Sequence, residues 1–181
     1  MAATLPGFNT PAVGFEQPFA MLEACHERVQ RTLALLQRLR DHVQQQGQAD
    51  DSARQAARDV LRYFDIAAPL HHEDEELHVF PPLLAGGAPE VVALVRRLQH
   101  DHACMAADWA AARLPLQALA EGRQAAFSAA DGAAFDRFAA RYGRHIADEE
   151  SAAYPAAQGL LPADALAPMG REMAGRRGAA R

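Results

Sequence analysis

Seven of the eight histidines fall into four short clusters: His26; His71, His72 and His78; His100 and His102; and His145. Two of these clusters lie in segments that repeat. HHEDEELHVFP (71–81) and HIADEESAAYP (145–155) superimpose at a constant offset of 74 residues, the difference between 145 and 71 and between 155 and 81. Both read His-x-x-x-Glu-Glu-x-x-x, then Phe or Tyr, then Pro. Residues four apart on an α-helix stand about 40° apart around the axis and about 6 Å along it, so His and Glu reach one point from one face. A neutral imidazole with a carboxylate that can bridge suits iron, manganese or zinc, whereas calcium or magnesium calls for an all-oxygen cage. Each copy therefore reads as half of a metal site.

The offset also selects which residues point inward. His71 matches His145 and Glu75 matches Glu149, while His72 matches Ile146 and His78 matches Ala152. His71 and Glu75 are assigned as ligands, with His72 and Glu76 as the alternative register, and His78 is expected on the helix surface. His26 and His102 each lie on the apolar stripe of a further helix. They complete an expected metal-ligand set of His26, His71, Glu75, His102, His145 and Glu149. His100 lies about 200° around the helix from His102 and is expected outward. His42, at the end of the first helix, is read as solvated.

Four amphipathic helices must position this set. The first is expected over Gln17–Gln46, with Leu22, His26, Val29, Leu33, Leu36 and Leu39 at spacings of three and four. The second starts near Asp51, an N-cap candidate; Pro69 is expected to bend it, and Pro81 with Pro82 to stop it. The third opens at Pro89 and runs toward Pro115 and the Ala-Glu-Gly stop. The fourth follows Asp131 and ends at Pro155. Because each apolar stripe needs a partner stripe, the expectation is an all-α, antiparallel up-down four-helix bundle over residues 1–160. Residues 161–181 are expected to add a short outer helix near Ala163–Ala174 and a mobile Gly-Arg-Arg-Gly-Ala-Ala-Arg tail.

Composition narrows the partners. With 181 residues, half of them apolar, the chain suffices for one core. A formal net charge of −5, from 18 Lys+Arg against 23 Asp+Glu, gives no basic field for nucleic acid or anionic lipid. The first residues carry neither a basic start nor an unbroken apolar run, and no segment reads as a membrane span, so a cytoplasmic protein is expected. Cys25 and Cys104 are too few for a disulfide scaffold or zinc ribbon and read as small hydrophobes. Oligomeric state is not legible.

A histidine on helix 1, His-x-x-x-Glu-Glu with an aromatic and proline on helix 2, a histidine on helix 3 and a second His-x-x-x-Glu on helix 4 resemble the hemerythrin or HHE cation-binding family. The resemblance covers roughly Leu22 to Pro155. It implies a non-haem centre of two irons per chain, bridged by Glu75, Glu149 and an oxo or hydroxo group, with His26, His71, His102 and His145 as terminal ligands. Oxygen-carrying hemerythrins have a second helix-3 histidine four residues after the first. Here that residue is Ala106, which leaves one iron short of a ligand and implies rapid autoxidation.

Four histidines with two glutamates also resemble the ligand set of bacterial proteins that repair iron centres. The cysteine-bearing N-terminal extension of many such proteins has no counterpart in the sequence. A ferritin-like oxidase needs two Glu-x-x-His pairs, and only Glu23 with His26 forms one. The preferred function is a non-enzymatic binder or sensor of dioxygen or nitric oxide. The alternatives are a stress protein that donates iron or reduces nitric oxide or peroxide, and a structural or storage site holding zinc or manganese.

Overall fold

A computed structural model describes residues 13–179, which are helical throughout apart from short connections and contain no strand. Helix α1 is Pro18–Gln46, with Pro18 at a position where its missing N–H costs nothing. It ends at Gly47, whose φ of 74° is a left-handed value that a residue without Cβ adopts freely. The next helical run, α2, covers 51–86. Its N-cap is Asp50, one residue before the expected Asp51, and the Asp50 side chain accepts from the Ala53 N–H at 2.7 Å. Helix α3 is Pro89–Ala120 and continues through Pro115. Run α4 covers 129–160; Ser128 caps it, and Asp131 closes a capping box instead of starting the helix. A 3-10 turn, Ala163–Ala165, leads to α5, Leu166–Arg176.

Pro81, Pro82 and Pro155 do not end their helices, contrary to the sequence expectation. The reason is a wider helical turn placed just before each site. Run α2 contains π-helical turns at Tyr63–Ala67 and Glu75–Val79, and α4 contains one at Glu149–Ala153. Pro69, Pro81 and Pro155 each stand in the first two positions of the α-segment that follows such a turn. An interior proline removes an i→i−4 hydrogen bond and clashes with that carbonyl. At the start of a fresh segment neither loss applies, so the helix runs on.

Two buried apolar clusters fill the molecule. One gathers Leu22, Phe80, Leu83, Val95, Leu98 and Tyr154; the other gathers Leu36, Leu39, Val60, Phe64, Leu116 and Phe138. Each fully buried leucine contributes roughly 2 kcal/mol. On every long helix the expected site residue falls at the seam. His26 lies between Leu22 and Val29, His71 between Ala68 and Val79, His102 between Leu98 and Met105, and His145 with Glu149 between Tyr142 and Ala153.

Met169 and Met173 of α5 enter the first cluster. Asp74, fully buried, is paired by Arg176 and Arg177, the latter at 2.6 Å. Arg176 and Arg177, in the expected tail, are therefore held against α2, while residues 180 and 181 lie outside the described residues. The His78 Nε2–H donates to Glu172 of α5 at 2.6 Å, and His78 is a docking residue for that helix. No helix among the described residues is long and apolar enough to cross a membrane.

Candidate metal centre

Both halves of the centre follow from the His-x-x-x-Glu spacing. His71 and Glu75 lie on α2, His145 and Glu149 on α4, and each pair meets across one helical turn, at 3.5 Å and 2.8 Å. Helices α1 and α3 bring His26 and His102 against them. The His26 Nε2 is 3.1 Å from Glu149, and the His102 Nε2 is 3.3 Å from Glu75 and 3.2 Å from the His145 Nε2. All six side chains are buried, and the two glutamates have no exposed surface. Glu76 turns away from this meeting point toward the His102 Nδ1, whereas Glu75 faces it.

The donors form two overlapping groups. His26, His71, Glu75 and Glu149 make one; Glu75, His102, His145 and Glu149 make the other. Within each, one donor atom per residue lies within 4.8 Å of all the rest. Glu75 and Glu149 belong to both groups.

Carboxylates buried at this depth need compensating positive charge. Glu75 Oε2 and both Glu149 oxygens have no aligned hydrogen-bond donor among the described residues, although imidazole nitrogens stand within about van der Waals reach. Oxygen and nitrogen donors thus crowd around common points, which is how donors around a cation are disposed. Imidazole with carboxylate fits a first-row divalent ion.

The ring atoms facing away from the centre are held by the second glutamate of each repeat. A carboxylate only accepts, so the His26 Nδ1–H donates to Glu150 and the His102 Nδ1–H donates to Glu76, each at 2.9 Å. That fixes the tautomer and turns Nε2 inward. The residue five positions after each ligand glutamate covers the same ring. Tyr154 stacks on His26 with centroids 5.6 Å apart, and Phe80 stacks on His102 at 5.6 Å.

In an α-helix a residue five positions on lies about 140° away. The π-turns beginning at Glu75 and Glu149 add a residue to the turn and bring Phe80 and Tyr154 back to the site face. The tyrosine differs from its counterpart by a hydroxyl, which donates to Glu75. Sequence reasoning missed Glu150, Phe80 and Tyr154 as parts of the site and named Glu76 only as an alternative ligand, although the repeat Glu-Glu-x-x-x-aromatic already paired them.

Burial disfavours a charged imidazole, yet the neighbouring carboxylates dominate at two of the rings. Glu149 and Glu75 overcome desolvation and push the His102 pKa up to about 10; Glu149, Glu75 and Glu150 also raise His26. Burial lowers the pKa of His71 and so favours its neutral form. Desolvation opposes the charge on Glu149, but the close imidazoles of His102, His145 and His26 hold it well below the usual carboxylate range. A cation entering the centre competes with protons on His26 and His102.

The remaining candidates lie elsewhere. Glu23 is exposed beside Glu27 and Glu150 on the surface, so no Glu-x-x-His pair points inward from α1. His100 is exposed and His42 meets Asp50 at 2.9 Å on the surface. Cys25 is buried against Met21, and desolvation raises its pKa, so its thiol is unreactive. Cys104 is only partly buried, beside His100. Met105 and Trp109 line a pit of about 160 Å³ at the edge of the centre, with Phe64, Ala106 and His72.

A helical fold built around a buried cluster of four histidines and two glutamates defines a helical cation-binding domain. Residues 17–157 match the hemerythrin HHE cation-binding domain, and the chain belongs to that family. A protein of Haemophilus influenzae, described only as uncharacterised, is 35% identical over 164 residues, which span 90% of this chain and 91% of that one.

Proposed function

We propose that this is a cytoplasmic protein carrying a non-haem di-iron centre that binds or senses dioxygen or nitric oxide. The observation that carries the reading is the sharing of Glu75 and Glu149 between two four-donor groups. One ion would rest on His26 and His71, the other on His102 and His145, with the glutamates between them. Four carboxylates, Glu75, Glu76, Glu149 and Glu150, match the charge of two divalent cations. The two apolar clusters at opposite ends of α1 support an up-down antiparallel arrangement of the four long helices.

When bound, reduced iron supplies electrons and an open position for a diatomic ligand. The protein's part is positioning and exclusion. Glu150 and Glu76 orient two of the imidazoles, while Tyr154, Phe80 and the flanking clusters keep bulk water from the donors. The pit beside His72 and Trp109 has mostly apolar walls, suited to an uncharged diatomic rather than to a charged metabolite. Apart from His72 and Tyr142 its walls offer no acid, base or nucleophile, which favours binding over turnover.

Metal analysis and an optical spectrum of the purified protein, followed by anaerobic titration with nitric oxide, test this. Two irons per chain and a stoichiometric spectral change without turnover are expected. One zinc per chain, or multiple turnovers, would overturn it.

A further inference from the structure

We propose that His72 supplies a fifth imidazole to the centre, joining His102 and His145 on the side where Ala106 leaves α3 without a donor. This rests on the dinuclear reading above. The donor atoms of His72, His102 and His145 lie within 4.8 Å of one another. Two donors on opposite sides of a first-row ion, each about 2.1 Å from it, stand about 4.2 Å apart. Rotation of the His72 ring off the face of His102, on which it lies nearly parallel, brings all three donors onto one ion.

Geometry explains how adjacent residues both serve. Run α2 packs against α1 on one side and α3 on the other. His71 turns toward α1, edge-on to His26 with centroids 4.8 Å apart; His72 turns toward α3 and stacks on His102 at 4.1 Å. The His72 ring also meets His145 edge-on at 6.2 Å. Consecutive residues differ by about 100° around a helix, within the width of an inward face that meets two neighbours.

Ala106 stands one turn beyond His102 and lines the same pit as His72. The space a side chain at 106 would enter is thus reached by an imidazole from α2 instead. The matching position of the other repeat is Ile146, buried and apolar, so the two halves become unequal: three histidines at one ion and two at the other.

The test loads the full chain anaerobically with cobalt(II) and counts hyperfine-shifted, exchangeable imidazole N–H signals by NMR, beside chelator competition for the second ion. Wild type, His72→Ala, His72→Gln and the double variant His72→Ala with Ala106→His are compared. Five signals are expected in wild type, four in both single variants and five again in the double variant. The second ion should be held at least tenfold less tightly after His72→Ala and recover with Ala106→His, a rescue that a packing role for His72 would not produce. Two bound ions with four signals in wild type, or five signals unchanged by His72→Ala, overturn this inference alone. A chain that binds no cobalt overturns the dinuclear reading with it.

Discussion

Replacing Glu150 with Ala removes the acceptor of the His26 Nδ1–H without touching the donors themselves. The bond is 2.9 Å long, and the Glu150 side chain is 44% exposed, so its electrostatic share is partly screened. Carboxylates that orient ligating histidines typically contribute 10- to 100-fold to metal affinity, and with this exposure the expected loss is about tenfold, or about 1.4 kcal/mol. The sign of the pH dependence follows from the same contact. Glu150 helps to raise the His26 pKa, so its removal also weakens the proton that competes with metal. That relief acts only at a pH where His26 is protonated. The loss should therefore be smaller at a pH below the raised His26 pKa than at a pH above it.

Chelator competition with zinc at both values measures it. Glu27→Ala, which removes a neighbouring exposed carboxylate that does not hydrogen-bond the His26 ring, controls for general surface charge. Affinity unchanged by Glu150→Ala, or lowered equally by Glu27→Ala, would refute the orienting role.

Metal affinity of the unmodified protein should rise about tenfold per pH unit for each proton displaced. His102, with its pKa near 10, holds its proton across the neutral range, so the rise should continue to about pH 10; proton release on titration calorimetry checks it. Glu75→Ala or Glu149→Ala should lower occupancy of both ions together, since each glutamate belongs to both donor groups, whereas His42→Ala should leave metal content unchanged. Asp74→Ala should free α5 and cost about 2 kcal/mol, below the usual cost of breaking a buried pair because Arg176 and Arg177 still reach water; denaturant unfolding and proteolysis after Leu166 measure it. Chelation of bound metal should lower the melting temperature, because the buried carboxylates lose their countercharge.

Much of the centre was legible because helix periodicity and a 74-residue repeat are both local. Four residues carry a side chain once around the axis, so His71 with Glu75 and His145 with Glu149 were selected before any helix was placed. The apolar stripes of α1 and α3 likewise singled out His26 and His102, since a stripe must face its neighbours.

What depended on tertiary structure depended on departures from that period and on which helix lies beside which. The π-turns at Glu75 and Glu149 rotate Phe80 and Tyr154 onto the rings and carry the helices through Pro81 and Pro155, an outcome the α-helical period excludes. Glu76 and Glu150 acquire their roles only because α3 and α1 present His102 and His26 to them. Likewise, His72 has a partner at all only because α2 lies against both α1 and α3, and Arg177 meets the buried Asp74, 103 residues away, only once α5 has folded back. Contacts across such separations depend on packing the whole chain, and no local pattern in the sequence encodes them.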